Sequence, residues 1–197
     1  MASDWLPPCL EGARVRLRPL READAEAVFA YCSNPNMTRF TLWETHQGMA
    51  DTKLFVRDYA RSRYREQVPE PMGIVLRDDP ADRVIGTAGC FWASKPNLTM
   101  ELGYALAEPY WGRGLVAEAS ALLLDHVFAN YPVERIQARC MAENTASARV
   151  MQKLGMTYEG TLRSALLRRG KFRDLHYYSI LRGEWEQRRK SRKEGRG

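Results

Sequence analysis

The sequence predicts an α/β domain in which helices alternate with strands that are mainly antiparallel. Its 197 residues, 45% of them hydrophobic, are enough to bury the core of one domain. Three segments of strand character follow one another at residues 72–77, 84–92 and 100–107, separated by turn residues. The last of them leads through a pair of glycines into the strongest helical pattern of the chain, at residues 114–130.

The first seventy residues or so predict one strand and two helices. Residues 13–20, ARVRLRPL, alternate apolar and basic side chains as an edge strand does, and Pro19 limits the segment. Residues 22–32 and 49–67 carry apolar side chains at helical spacing, and prolines follow both segments.

Residues 36–48, between these two helices, show no regular period. They nevertheless hold a large apolar load in Phe40, Leu42 and Trp43. We interpret the stretch either as a loop on the substrate side or as an extension packed against the core.

The remaining elements complete the α/β pattern. Asp78-Asp79-Pro80 is a turn signal that joins the strands at 72–77 and 84–92 into an antiparallel hairpin. After the helix at 114–130, the predicted elements are a strand at 136–141, a helix at 146–154 closed by Gly155, and strands at 156–162 and 173–181 around a turn at Gly170.

The positive charge of the chain is concentrated at its end. Residues 188–197 hold six basic residues against one acidic residue, a net charge of +5, which leaves +1 of the total +6 for the rest of the chain. A nearly neutral body argues against a dedicated nucleic-acid fold. We therefore expect one domain over residues 1–187 and a disordered basic tail at residues 188–197. Weak contact of this tail with RNA or the ribosome is the alternative.

Cysteine spacing and hydropathy exclude several other classes. The four cysteines are far apart without a CxxC pair, and the three histidines are scattered, so neither a disulfide framework nor a metal site is expected. No apolar run is long enough to cross a bilayer, and residues 1–12 do not resemble a signal peptide. A reducing cytoplasm is the expected compartment, and nothing decides between a monomer and a homodimer.

The glycine pair between strand and helix is the main candidate binding element. Gly112 and Gly114 have no Cβ, so the backbone can approach a bulky phosphate, and the N–H groups that follow are those that a helix leaves unpaired. These donors and the positive end of the helix dipole suit a pyrophosphate. An ordinary strand-to-helix turn, in which glycine only relieves strain, is the alternative.

Two other phosphate-binding motifs fit less well. Gly112, Gly114 and Ala117 satisfy the dinucleotide fingerprint G-x-G-x-x-A, with Glu143 as a candidate ribose acid. However, four residues including Trp111 separate the strand from the first glycine, and the mainly antiparallel pattern before it is the wrong topology. A Walker loop is excluded because no Gly-Lys-Ser/Thr follows the glycines.

The sequence resembles the GNAT acetyltransferases, specifically the RimJ/RimL-type branch that acetylates the N-termini of ribosomal proteins. The resemblance covers residues 14–185 and rests on LRPL, ELGYAL with PYWGRGLVAEA, AENTASARVMQKLGM, YEGTLR and RDLHYYSIL. It implies a mixed, mostly antiparallel central sheet flanked by helices. Strands 4 and 5 of that sheet splay apart, and acetyl-CoA (coenzyme A) is held in the gap.

The resemblance also implies the cofactor contacts. The family loop Gln/Arg-x-x-Gly-x-Gly/Ala falls on Trp111, Gly114 and Val116, and departs from the pattern at its first and last positions. Backbone binding does not need those side chains. The expected contacts with acetyl-CoA are Ala105, Leu106 and Ala107 for the pantetheine amides, the loop residues Trp111, Gly112, Arg113, Gly114, Leu115, Val116 and Ala117 for the pyrophosphate, and Asn144 and Met151 near the pantetheine arm.

Catalytic roles carry over less evenly. A backbone N–H near Leu106 is expected to polarise the thioester carbonyl, and Glu101 to accept the proton of the amine. A buried carboxylate paired with a strand neighbour is the alternative for Glu101, and a helix N-cap is compatible with Asn144. Ser147 matches a serine proposed to act on the thiolate in the ribosomal branch. Met151 stands where many members carry an acid tyrosine, and Leu166 replaces a carboxylate of that branch.

The expected acceptor is a primary amine, most simply an α-amine. An α-amino group with a pKa of about 8 is roughly a tenth neutral at pH 7, whereas lysine at about 10.4 is neutral about four times in ten thousand. A site with one doubtful base therefore favours the N-terminus of a protein, such as a ribosomal protein. One alternative is a small antibiotic or metabolite amine as the acceptor. The other is a module that binds coenzyme A or RNA without catalysis.

Overall fold

The computed structural model describes residues 5–194, and side chains through residue 191. Its strands are β1 (Leu10–Glu11), β2 (Val15–Pro19), β3 (Met72–Leu76), β4 (Val84–Ser94), β5 (Thr99–Leu106), β6 (Arg135–Met141), β7 (Thr157–Arg168) and β8 (Lys171–Leu181). Its α-helices are α1 (Ala25–Cys32), α2 (Met49–Lys53), α3 (Ala60–Arg65), α4 (Leu115–Asn130), α5 (Thr145–Leu154) and α6 (Arg182–Glu194). A π-helical segment, Leu54–Tyr59, joins α2 to α3, and short 3-10 turns lie at Glu22–Asp24, Met37–Phe40 and Glu108–Tyr110.

The predicted α/β class with a mostly antiparallel sheet is confirmed. The strands follow the order β1-β2-β3-β4-β5-β6-β8-β7. β5 and β6 pair in parallel, whereas β2 with β3, β3 with β4, β6 with β8 and β7 with β8 pair antiparallel. The parallel pair follows from the helical crossover through α4, since parallel neighbours need a long connection.

The register of β5 and β6 covers the first residues of both strands. Recorded pairs join Thr99 to Arg135, Met100 to Ile136 and Glu101 to Gln137. Beyond Glu101, β5 continues to Leu106, and β6 continues past Gln137 to Met141. These are the strands expected to splay as the fourth and fifth, renumbered because the two-residue β1 was not predicted.

The described residues fall into two compact units. The first comprises the residues up to Phe91 together with Leu102–His126, and the second comprises Trp92–Glu101 and the residues from Val127 onward. The expectation of one domain over residues 1–187 stays a prediction.

The first unit is built around a cluster of aliphatic and aromatic side chains. Its buried members are Leu20, Val28, Tyr31, Cys32, Met37, Val56, Val75 and Val84. Beside it, the buried Arg18 guanidinium donates to both carboxylate oxygens of Asp24 at 2.7 and 2.8 Å. This pairing compensates the desolvation of both charges, which buried ions require.

The second unit ends in a helix where the sequence predicted disorder. α6 carries residues 188–194 of the expected tail, and residues 195–197 lie outside the described residues. Trp185 is 1% exposed and stacks on Phe128, while the Arg182 guanidinium donates to the carbonyls of Phe128, Tyr131 and Val133. Because these contacts dock the first turn, the basic residues continue the helix instead of leaving it.

The boundaries of the last two predicted strands also change, and the strand predicted at 173–181 begins at Lys171 as β8. The strand predicted at 156–162 continues as β7 to Arg168, because the hairpin resumes after an irregularity in register and closes with Arg168 opposite Lys171. Arg169 and Gly170 both have positive φ, as a two-residue turn of type I′ requires.

Within the described residues, no helix is both long and apolar enough to cross a membrane.

Candidate active site

The glycine turn stands at the N-terminus of α4, as predicted. Gly112 has φ +74° and Gly114 has φ +77°, in the left-handed region that glycine adopts readily. A Cβ built on Gly112 would meet no atom of the described residues within 4 Å, so the space beside this turn can admit a ligand. The Glu118 N–H bonds to the Gly114 carbonyl at 3.2 Å. By helix geometry the N–H groups of residues 115–117 precede this bond and are available to an anion.

Arg14, which the sequence analysis did not select, lies at this turn. Its Nη1 donates to the Arg113 carbonyl at 3.0 Å, and its Nη2 is 3.7 Å from the position that a Cβ on Gly114 would occupy. The Arg14 side chain is 55% exposed, so its charge is accessible. The guanidinium therefore adds a positive charge to a backbone turn that already favours anions.

Glu118, in the first turn of α4, holds Arg14 in place. Its Oε1 accepts from the N–H groups of Arg14 and Val15 at 2.7 and 3.3 Å, and its Oε2 accepts from Arg14 Nε at 2.7 Å. Burial raises the pKa of Glu118, but the bonds from Arg14 and Val15 outweigh it and hold that pKa below its ordinary value. No local pattern could have revealed this pairing, because 104 residues separate Arg14 from Glu118.

Trp111 fixes the entry to the turn. Its indole N–H donates to the Leu106 carbonyl at 2.7 Å, while the residue remains 46% exposed. The neighbouring Ala107 donates its N–H to the Ile85 carbonyl at 2.8 Å and accepts from the Tyr110 N–H at 3.0 Å. The Ala107 N–H is therefore paired within this unit, while its carbonyl can accept a second hydrogen bond. The expected contacts of Ala105, Leu106 and Ala107 with the pantetheine amides stay predictions.

Glu101 lies in the second unit, at the last recorded pair between β5 and β6. It is 7% exposed, and its two carboxylate oxygens accept from Gln137 Nε2 and Arg139 Nε, each at 2.9 Å. Burial lowers the pKa of Arg139, but the Glu101 carboxylate overrides this effect and raises it. These contacts match the alternative of a paired buried carboxylate, and the role of Glu101 as proton acceptor stays a prediction.

The start of α5 holds the other predicted residues of the second unit. The Asn144 Oδ1 accepts from the Ser147 N–H at 3.1 Å, so Asn144 is the N-cap of this helix. Burial raises the pKa of the Cys140 thiol to about 11, and a hydrogen bond with the Ser147 side chain acts in the opposite direction. Met151 is completely buried, and its expected contact with the cofactor stays a prediction.

Comparisons with known proteins agree on one family. The model of the acetyltransferase (GNAT) domain matches residues 14–157. The uncharacterized N-acetyltransferase YoaA of Bacillus subtilis (strain 168) is 30% identical over 175 residues, which cover 89% of this chain and 97% of YoaA. The sequence match therefore spans nearly the full length of that relative.

Solved structures show the same fold. A GNAT-family acetyltransferase from Bacillus anthracis superposes with a TM-score of 0.79 at 24% identity, covering 90% of this chain and 100% of that one. RimL, a ribosomal L7/L12 α-N-protein acetyltransferase solved in complex with coenzyme A, superposes with a TM-score of 0.78 at 18% identity, covering 88% and 98% of the two chains.

Proposed function

This chain belongs to the GNAT acetyltransferase family, whose members take their acetyl group from acetyl-CoA, and we propose that it delivers this group to the α-amine at the N-terminus of a protein or peptide. The glycine turn at the N-terminus of α4 is the observation that supports the use of acetyl-CoA. In it, two residues with positive φ and the first N–H groups of a helix form the donor set that a diphosphate needs.

Arg14 extends this donor set with a guanidinium. A planar guanidinium recognises phosphate oxygens through two parallel hydrogen bonds, and Glu118 already orients this one from the opposite side. We therefore assign the pyrophosphate of acetyl-CoA to the N–H groups of Leu115, Val116 and Ala117, with Arg14 as the counter-charge. Gly112 and Gly114 keep the turn free of side chains.

The chemistry asked of the remaining residues is modest. Acetyl-CoA supplies an activated thioester carbonyl, so the chain must orient an amine, hold it neutral and accept a proton. Glu101 is our candidate for the proton, which would require it to exchange the bond from Gln137 or Arg139. Ser147, whose side chain bonds to the Cys140 thiol, is the candidate donor to the departing sulfur.

The α-amine is favoured over lysine by its intrinsic acidity. At pH 7 roughly a tenth of α-amines with a pKa of about 8 are neutral, against about four lysines in ten thousand. The fold neighbour RimL is named for acetylation of a protein α-amine. Both observations support an N-terminal acceptor.

Release of free thiol from acetyl-CoA in the presence of a peptide library tests the proposal. Each peptide is offered with a free N-terminus, and again with that N-terminus blocked and an internal lysine left free. We expect thiol release with the first set only. Turnover on blocked peptides or only on small amines would refute the α-amine assignment, and no turnover with any amine would refute the enzymatic function.

The cofactor assignment is tested separately by calorimetry with acetyl-CoA. Arg14→Gln should weaken acetyl-CoA binding by about tenfold, because a charged bond to phosphate is lost. Arg77→Gln is the matched control, since Arg77 also pairs with a glutamate, Glu11, and donates to a backbone carbonyl, that of Gly12. Equal affinities of the two variants would remove Arg14 from the site.

A further inference from the structure

An aromatic strip runs along the first compact unit, and we define it by Trp43, His46, Phe55 and Tyr59. Ring centroids lie 5.4 Å apart between Trp43 and His46, 6.3 Å between His46 and Phe55, and 5.5 Å between Phe55 and Tyr59. Trp43 and Tyr59 are both 37% exposed, so the two ends of the strip reach the surface. Burial lowers the pKa of His46, which keeps the strip uncharged near neutral pH.

The π-helical segment Leu54–Tyr59 aligns two of these rings. Phe55 and Tyr59 are its second and last residues, and their rings are stacked with an interplanar angle of 18°. Such segments interrupt regular helices at a cost and occur frequently at functional sites. The sequence had predicted one uninterrupted helix at this point.

Glu70 ends the strip with a carboxylate. The Tyr59 O–H lies 3.0 and 2.9 Å from its two oxygens, and the Arg63 Nε lies 3.3 Å from its Oε2. A Cβ built on Gly89 of β4 would lie 2.3 Å from the Glu70 Cγ, so a glycine makes the room for this side chain. Although mostly buried, the side chain of Glu70 keeps 13% of its surface exposed.

The charges of Glu70 and its neighbours Arg63 and Glu66 do not balance. Arg63 pairs with both Glu66 and Glu70, so these three side chains carry one net negative charge when Glu70 is ionised. Arg63 itself lies between the rings of Tyr59 and Phe91, at 5.3 and 5.2 Å. These ring contacts and the pair with Glu66 compete with Glu70 for the Arg63 guanidinium.

We propose that Glu70 binds the acceptor on arrival, in its ammonium form, and that the aromatic strip holds an apolar or aromatic group next to that ammonium. The ammonium must lose its proton before the amine attacks the thioester. The acceptor class would be a primary amine with such a group close to its nitrogen, including an N-terminal residue with a large apolar side chain. Aromatic faces attract cations as well as apolar groups, which suits both parts of this ligand. The inference rests on the proposed function in taking the acceptor to be an amine.

The protonation of Glu70 makes this subsite sensitive to pH. Burial raises its pKa to about 7, while Tyr59 and Arg63 act in the opposite direction and Glu66 adds to the increase. The other titratable groups that interact with Glu70 are Tyr64 and, on β4, Cys90. Since an ammonium is attracted by the ionised carboxylate, its binding should strengthen as the pH rises through about 7.

The test compares phenethylammonium with 2-phenylethanol, which has the same shape without the charge. Binding of each to the full chain is measured by calorimetry without acetyl-CoA. We expect phenethylammonium to bind about tenfold tighter or more, with Glu70→Gln abolishing this difference. Glu22→Gln is the matched control, because it removes the same charge from an exposed pair with another arginine, Arg61, and should keep the difference between the two probes. Equal binding of the two probes to the unmodified protein, or an unchanged difference in Glu70→Gln, would overturn the proposal.

A second variant keeps the proposal testable if Glu70→Gln fails to fold. Tyr59→Phe keeps the ring but removes the O–H that lowers the Glu70 pKa, so the pH midpoint of phenethylammonium binding should move upward. An unmoved midpoint would also overturn the proposal. Failure of this binding with intact thiol release on other amines would leave the proposed function standing. Intact binding without thiol release on any amine would refute the enzymatic function and leave the ammonium subsite.

Discussion

The stability of Glu70→Gln relative to that of the unmodified protein should increase as the pH rises. The Glu70 pKa is raised from 4.5 to about 7 in the folded chain, chiefly by burial. Between these two values the folded state holds a proton that the unfolded state has released, so the stability supplied by that proton is lost as the pH rises. Glutamine has no such dependence.

The size of the effect follows from the two pKa values. A shift from 4.5 to about 7 corresponds to roughly 3 kcal/mol of folding free energy once Glu70 is fully ionised. Most of this, about 2.5 kcal/mol, should develop between about pH 5 and pH 8. The stability of Glu70→Gln minus that of the unmodified protein should increase by this amount over the range.

Urea unfolding followed by circular dichroism at a series of pH values measures this difference directly. Any constant effect of the amide on its neighbours cancels, because only the change with pH is compared. Glu22→Gln is the control, since the Glu22 side chain is 62% exposed in its pair with Arg61 and its removal should leave the pH dependence nearly unchanged. A difference between Glu70→Gln and the unmodified protein that stays flat with pH would refute the assignment of a raised pKa to Glu70.

Three further substitutions probe the turn, the predicted base and the docking of α6. Gly114→Val should weaken acetyl-CoA binding about tenfold or more in calorimetry, whereas Gly170→Val, with a similar positive φ, should not change it. Glu101→Gln should lower kcat by roughly a hundredfold and recover part of the loss above the pKa of the amine; an unchanged kcat at pH 7 would remove Glu101 from the mechanism. Gly155→Ala and Gly170→Ala should lower the free energy of unfolding by similar amounts, about 1 kcal/mol each, because both glycines have positive φ and the exposed Arg188 guanidinium beside Gly155 can move aside; a much larger loss at Gly155 would mean that Arg188 is fixed there.

Local patterns predicted most of the fold. The apolar stripe of α4 and the turn signal before β4 depend on residues that are neighbours in sequence, so the helix and the hairpin could be assigned before the structure was known. The glycine turn followed from the same logic, since positive φ and a free helix N-terminus are both local properties. The basic composition did not reveal the helix over residues 188–194, because the order of α6 comes from Trp185 packing on Phe128, a tertiary contact.

The finer features of the candidate site depend on long-range pairing that no local pattern reveals. Arg14 reaches the glycine turn only because Glu118 orients it across 104 residues of sequence. The Ala107 N–H is paired because the Ile85 carbonyl on β4 accepts it. Glu70 stood between two prolines that the sequence analysis used only to end a helix.

Glu70 and Glu101 show how burial alone does not identify a functional carboxylate. Glu101 is 7% exposed, but an amide and a guanidinium from β6 each donate to one of its oxygens, so removal from water is compensated within the fold. Glu70 is compensated only in part, because Arg63 divides its charge between Glu66 and Glu70, and the Glu70 pKa stays raised. A ligand ammonium would supply the cation that Arg63 supplies only in part, so Glu70→Gln should weaken the binding of phenethylammonium by about tenfold or more and leave that of 2-phenylethanol nearly unchanged. A loss of the same size for both probes would mean that the substitution disturbs more than the charge.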